Sequence, residues 1–323
     1  MNGKRPYKLP EPLLCSADKE INMTLVDEYI RKHEKRMPRY NYLENLYKGF
    51  HDVFHLPEKE SWKPDNRLAV NFPRYITETF LGYAYGIPVK KSHPDTKIKD
   101  VIIEFDRDND ISDQEYELAK KCCIYGHAFE YFYQDEEAKT KTVICNPKEL
   151  FVVYDDTVKN RALFAIRYGY KDDKVTRHGE ILTREKIIPF EGEIMQESIP
   201  NPYGRINCVE YMLNDERIGL YEEVSGMVET YNRVIGEKAN DVDSFAEAYL
   251  AVLGAELDED GVYKIRDNRI INLYGTESAK DIIVQFLGKP TADGTQENLL
   301  NRLEDLIYQT SMVANISDDS FGN

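Results

Sequence analysis

Residues 66–90 read NRLAVNFPRYITETFLGYAYGIPVK. RLAVNF is short and extended. Pro73 suits the first turn of a helix, where its missing N–H would have had no partner anyway. Behind it Tyr75, Ile76, Thr79, Phe80 and Tyr83 line one side. Gly82 and Gly86 loosen the end, Pro88 stops further helix, and PVKKS (88–92) reads as a strand. The stretch holds no nucleophile and no pair of metal ligands. An apolar, aromatic-rich block thus stands in an acidic chain with no chemistry attached to it.

Outward from that block the pattern alternates between helix and strand. Upstream, residues 24–36 place Leu25, Val26, Tyr29, Ile30 and His33 on one helical face. After Pro38 the same spacing joins Tyr42, Leu43, Leu46, Tyr47 and Phe50. A polar loop, 57–66, carries the single tryptophan, Trp62. Downstream, IKDVIIEF (98–105) suits helix or strand. Ser112 and Glu115 form an S-x-x-E capping box, which predicts a helix from near Asp113 to Gly126. The period then drops to two: 127–133, 141–145, 150–154, 161–170 and 179–190 read as strands, with turns at DEEAKT, DDTVKN and KDDK. NPYGRINCVEYMLNDERIG (201–219) reads as an irregular connector.

The chain then turns helical. Leu220, Val224, Met227, Tyr231, Val234 and Lys238 alternate at four and three, and Tyr221, Val228 and Ile235 repeat at seven. This predicts a helix of about three heptads over 218–238, with a pattern that can run on through Val242, Phe245 and Tyr249. Segments 262–274 and 281–287 read as strands and 296–309 as a last helix. The fold class expected is α+β, and no internal repeat is present.

The 323 residues allow about two domains of roughly 150 residues each. Lys plus Arg is 42 against 58 Asp plus Glu, a net charge of −16. That argues against a protein that grips nucleic acid by neutralising phosphates. It leaves room for one that lets nucleic acid slide past, and simple solubility also accounts for it. The five cysteines are Cys15, Cys122, Cys123, Cys145 and Cys208, with no CxxC, so a disulfide framework is not expected and a reducing compartment fits. No apolar run reaches 18 residues, so no membrane span is expected. MNGKRPYKLPEPLLCSADKE is no signal peptide and reads as a mobile or partner-bound arm.

Each candidate for chemistry meets a plainer explanation. His51 and His55 in HDVFH stand at i and i+4, the spacing of a helical zinc pair, but no third ligand is near and HExxH is absent. Asp106, Asp108, Asp110 and Glu117 occupy EF-hand positions, yet Ile111 stands where the loop needs glycine. Glu256, Asp258, Asp260, Gly261 and Asp267 fit that spacing better but lie between strands, with Asp260-Gly261 as a hairpin signal. GIPVKKS (86–92) lacks the second glycine of a phosphate loop. His127 and Glu130 point to opposite faces of a strand. Cys122 and Cys123 follow Lys120 and Lys121, which could lower a thiol pKa, but core packing explains them better.

The order of the blocks says more. NRLAVNFPRYITETFLGYAYGIPVK resembles the N-terminal block of tailed-bacteriophage portal proteins, in the branch of siphophages of Gram-positive hosts, through Arg67, Val70, Asn71, Phe72, Pro73, Gly82, Tyr83, Gly86 and Pro88. YLENLYKGFHDV is similar to the family's upstream tyrosine helix. Tyr125, Gly126, Ala128 and Glu130 resemble its YG-x-A-x-E strand, and PYGRINCVEYMLND its connector. Tyr231, Asn240, Asp241, Phe245, Ala246 and Leu250 resemble its next helix, and LLNRLEDLIYQTSMVANISDDSFGN the start of its C-terminal helical part. The likeness covers roughly 40–323. RINC stands where the family carries a proline, and the chain is expected to stop short of the family's crown.

This resemblance implies a portal fold with a helical and β-rich wing, stem helices and a small clip. It divides the chain into an arm and first helix (1–40), wing (41–216), stem helix (217–249), clip (250–288), and tunnel loop with the start of a C-terminal helix (289–323). It implies a non-enzymatic, dodecameric ring at the virion portal vertex, assembled in the host cytoplasm, without cofactor or metal. Double-stranded DNA would pass through it non-specifically. The partners implied are terminase large subunit, a head-completion or adaptor protein, and major capsid and scaffolding proteins. Lys289 and Thr291 would face DNA, and Tyr221, Val224, Val228, Tyr231 and Ile235 would contact sister copies. Two alternatives remain: a metal-dependent hydrolase using His51, His55 and an acidic cluster, or another virion adaptor.

Overall fold

The computed structural model describes residues 7–8, 10–61, 63–245, 249–253, 283–287 and 293–316. The chain divides into two units: one of 1–52, 70–229 and 305–323, the other of 53–69 and 230–304.

The first unit is layered, and the layers follow from alternation along its strands. A seven-stranded sheet runs β1 (Leu13–Cys15), β4 (Leu150–Asp155), β5 (Ala162–Tyr170), β6 (Arg177–Leu182), β7 (Lys186–Glu191) and β8 (Ile194–Met195), with β9 (Ile199–Pro200) also on β7. Only β1 on β4 is parallel, with Leu13 opposite Val153. Phe151, Val153, Phe164 and Ile166 point to one face, where Leu25, Val26, Tyr29 and Ile30 of α1 (Met23–Glu34) cover them. Leu150, Val152, Ala165 and Leu182 point to the other, against Phe129, Tyr131, Cys145 and Cys208. Those last residues belong to a three-stranded antiparallel sheet, β10 (Cys208–Met212), β2 (His127–Gln134) and β3 (Thr140–Cys145). Leu118 and Cys122 of α5 (Ile111–Tyr125) pack with Ala128 of β2 and with Ile144. Being covered on both faces is why β4 is almost wholly apolar. Each fully buried Leu, Ile or Phe contributes about 1.5–3 kcal/mol over leaving it in water.

The opening stretch becomes a hinge point between helices. Asn71 accepts the Arg74 N–H to cap α3 (Phe72–Tyr85), and its amide donates to the Tyr47 carbonyl at 3.0 Å, at the end of α2 (Met37–Lys48). Glu78 of α3 accepts hydroxyls from Tyr47 of α2 and Tyr116 of α5. Phe72 and Tyr75 meet Tyr308 edge-on, and the Tyr75 hydroxyl donates to the Ala314 carbonyl at 3.0 Å. Phe72, Ile76 and Leu81 are therefore spent on packing within the first unit, while Tyr83, Ile87 and Val89 stay exposed.

In the second unit Asn66 donates its backbone N–H to Asn240 Oδ1 at 2.6 Å, on α6 (Ser225–Phe245). Arg67 donates to the carbonyls of Phe54 and Pro57, both at 3.2 Å. β11 (Tyr249–Leu253) pairs antiparallel with β12 (Ile283–Leu287), and residues 293–304 are the first part of α7 (Asp293–Ser311), whose remainder, 305–311, belongs to the first unit.

Several expectations are corrected. PVKKS forms no strand; the open choice at 98–105 falls to helix, within α4 (Thr96–Asp108). The capping box is unused: Asp110 takes φ +48° and the helix starts at Ile111, leaving Ser112 inside it. Tyr83 is 93% exposed, while Phe72, Ile76 and Leu81 form the buried side of α3. Phe50 lies beyond the Gly49 cap of α2 and is exposed. Segment 179–190 is two strands joined by Thr183–Arg184–Glu185, and 208–212 of the supposed connector is strand β10. The long helix begins at Ser225 and ends at Phe245; Tyr249, read as its continuation, starts a strand. Leu13–Cys15 of the arm is sheet, which anchors that part of it. The strand expected over 262–274 lies outside the described residues.

Candidate functional site

The densest chemistry of the first unit is a buried polar network where α2, the α5–β2 junction, β10 and the 213–222 segment meet. Gly126 makes the junction possible. It adopts φ +87°, and a Cβ there would lie 2.0 Å from the Arg217 carbonyl oxygen. The 213–222 segment is laid against the junction by Leu213 N–H on the Gly126 carbonyl (2.9 Å) and Leu220 N–H on the Cys123 carbonyl (2.7 Å).

Arg39 enters from α2. Its guanidinium donates to Glu222 through Nε at 2.8 Å and again through Nη2, to the Tyr125 carbonyl at 3.1 Å and to the Arg217 carbonyl at 2.8 Å. Both side chains of the pair are essentially buried, and Glu222 also accepts the Gly219 N–H at 2.9 Å. A buried charge pair persists only when its remaining donors and acceptors are used, as they are here.

Beside it, Glu210 of β10 accepts from His127 Nδ1 at 2.6 Å, from Arg217 Nε at 2.7 Å and from the Tyr154 hydroxyl. Burial alone would raise its pKa, but the bonds from His127 and Arg217 outweigh that and hold the carboxyl well below the usual range. Burial pushes His127 down, so a neutral ring donates from Nδ1 and accepts the Tyr40 hydroxyl at Nε2 (2.9 Å). Farther along, His33 is pushed down to about 3 by burial. Its Nε2 donates to the Pro147 carbonyl at 2.8 Å, and its Nδ1 accepts the Tyr168 hydroxyl at 3.0 Å. These groups satisfy one another; the arrangement fixes the connections between elements.

The residues singled out from sequence scatter. Tyr221, Val224 and Val228 are buried in the first unit, the Tyr221 hydroxyl donating to the Leu43 carbonyl at 2.6 Å, so these are core side chains. Tyr231 and Ile235 are half-buried residues of α6 in the second unit. Lys289 and Thr291 lie outside the described residues, as do Glu256, Asp258, Asp260, Gly261 and Asp267. His51 is buried and bonded to Glu229 at 3.1 Å, whereas His55 is exposed at the end of a 3₁₀ turn, 52–55. Asp106 and Asp108 are helical, so no EF-type loop exists there. Cys122 and Cys123 are buried, and desolvation pushes both thiols up to about 12. His127 and Glu130 do not meet; Glu130 accepts from Thr142 and Tyr211.

Sequence reasoning passed over Arg39, Glu222, Glu210 and Arg217. For Arg39 a signal existed: it stands four residues before Leu43, on the stripe that α2 buries.

The family described as "Phage portal protein, SPP1 Gp6-like" matches over residues 26–323. The chain belongs to this phage portal family. Among curated proteins, the portal protein of Bacillus phage SPP1 is 20% identical over 336 aligned positions, covering 96% of this chain and 66% of that protein. The chain thus spans just under two thirds of this portal relative. Among solved structures, "Neck of empty GTA particle computed with C6 symmetry" shares 9% identity, with a TM-score of 0.45, over 78% of this chain and 70% of that one. A likeness that remote carries no argument. The portal family is a structural one.

Proposed function

We propose that this chain is a subunit of a homo-oligomeric ring at the portal vertex of a tailed-phage virion, through which double-stranded DNA is packaged and ejected. The family match across 26–323 carries the reading. The physics beside it is consistent. At −16 per copy, a dodecamer presents a strongly acidic field that favours passage of a like-charged duplex over adhesion to it. Among the described residues no helix is long and apolar enough to cross a membrane.

In this reading the wing is residues 41–216, with α1 packed on its core, the stem is 217–249 and the clip 250–288. Half-buried Tyr231 and Ile235 then contribute to contacts between copies, and Lys289 and Thr291 face DNA. The ring docks terminase and a head-completion protein, sits among capsid and scaffolding proteins, and catalyses nothing itself. Native mass measurement of the purified full chain tests this. A dominant species near twelve times 37.6 kDa, with a central channel in negative stain, is expected. A chain that stays monomeric at high concentration overturns it.

A further inference from the structure

α4 carries an apolar stripe, Ile98, Val101, Ile102 and Phe105, at i, i+3, i+4 and i+7, yet no residue of this helix is buried. Each of α1, α2, α3 and α5 buries its apolar side. Ile98 and Val101 are 45% and 65% exposed. A short helix gains most of its stability from covering such a stripe; here Ile102 and Phe105 are half-buried while Ile98 and Val101 are left uncovered. The segment before it also leaves apolar side chains uncovered: Tyr85, Ile87 and Val89 are 36%, 79% and 58% exposed. Tyr85, Val89 and Phe105 line one hollow of about 780 Å³, floored by Leu118, Cys122 and Ile144. Lys91 bonds Asp106 and Glu115, both at 3.0 Å, tying the loop to α4 and α5.

We infer that this face, Tyr85 to Phe105, is where one copy of the chain docks on its neighbour; the inference rests on the ring reading above. Two observations favour a second copy as the occupant. The first is area. The seven apolar residues together expose roughly 600 Å², at the upper end of the roughly 300–600 Å² of the largest patch on a typical monomer, and a standard interface of about 800 Å² per partner contains about 450 Å² of apolar surface. The second is charge. Copies at −16 each repel, yet residues 86–108 carry five basic side chains (Lys90, Lys91, Lys97, Lys99, Arg107) and five acidic ones (Asp95, Asp100, Glu104, Asp106, Asp108). A locally neutral apolar face in a strongly acidic chain is where like copies approach at least electrostatic cost. A closed ring is heterologous, so the neighbour meets this face with a different one.

The full chain carrying Ile87→Glu with Val101→Glu is compared by native mass measurement with wild type. The control is Val158→Glu with Val175→Glu, residues that are as a pair more exposed and lie elsewhere in the chain. The face variant is expected to shift from ring to monomer and short arcs with an unchanged circular-dichroism spectrum, while the control stays a ring. Ile98→Ser with Val101→Ser, a milder change, is expected to weaken the ring in the same direction, and Val101→Ile to keep it. Full rings from both disruptive variants overturn the inference and leave the face to a different protein, with the ring reading intact. A wild type that is itself monomeric overturns both.

Discussion

Arg39 and Glu222 stand 183 residues apart in sequence and form a buried ion pair that joins α2 to the segment leading into α6. The same guanidinium holds the Tyr125 and Arg217 carbonyls, so one side chain fastens three stretches of chain. Arg39→Ala would leave a buried carboxylate and two carbonyls without their donor. The expected cost is about 3–5 kcal/mol of unfolding free energy, because an unpaired buried charge forfeits its solvation. Arg39→Met with Glu222→Leu removes both charges and is expected to lose less than the single change. Urea unfolding of wild type and these two variants checks this; a single variant no worse than the double would contradict the account.

Gly126 offers a test of geometry instead of charge. At φ +87°, with the Arg217 carbonyl oxygen 2.0 Å from where a Cβ would lie, alanine meets backbone strain and a backbone clash together. Gly126→Ala is expected to cost about 3 kcal/mol or more, read as a lowered thermal midpoint. Gly192, also at positive φ but with nothing within 4 Å of its Cβ position, is expected to cost clearly less as alanine.

How far the sequence carried depended on the range of each interaction. The helices around Leu25, Ile30 and Leu43 were legible because 3.6-residue periodicity is local, and the helix ending at Gly126 because a left-handed cap demands glycine. β10 was missed: CVEYM is a strand only through pairing with β2, some eighty positions earlier. The break between β6 and β7 falls at Thr183–Arg184–Glu185, which holds no glycine, proline or asparagine to announce a turn. Tyr221 and Val224 fitted a heptad, yet they precede α6 and are buried, the Tyr221 hydroxyl bonding the Leu43 carbonyl of α2. The buried network was the least legible part. Charged residues read as surface until a partner is known, and Glu222 and Glu210 find theirs in elements no local pattern connects.

His33 should make the fold sensitive to mild acid. Its folded pKa is pushed down to about 3 from 6.5, chiefly by burial, with the Pro147 carbonyl opposing and Arg36 and His127 adding to the shift. Above about pH 6.5 the ring is neutral in folded and unfolded chains alike, and its stabilising contacts are fully present. As pH falls below 6.5 the unfolded chain takes up a proton that the folded chain refuses, so stability is lost progressively toward pH 3. The slope is at most about 1.4 kcal/mol per pH unit for this one group. His127 shifts in the same direction and adds to it. Unfolding free energy measured from pH 7.5 to 4.5 is expected to fall, and His33→Asn to be less stable at pH 7.5 but to fall less steeply. An unchanged slope in the variant would rule out His33 as a source.

The cysteines give the last test. All five are free and buried, and burial pushes Cys122 and Cys123 up to about 12 and Cys145 up to about 11. At pH 8 a thiol with a pKa near 12 holds only about one part in ten thousand as thiolate, the form that reacts. Burial also bars a reagent from the sulfur. Alkylation of the native chain by iodoacetamide at pH 8 is therefore expected to be slow at Cys122, Cys123 and Cys145, and complete within minutes once urea unfolds it. Peptide mapping assigns the sites. Lys120 and Lys121, immediately before them in the helix, would speed the reaction only if their charge lowered the thiol pKa; rapid native labelling at Cys122 or Cys123 would mean that it does, and that these side chains are reactive groups and not core.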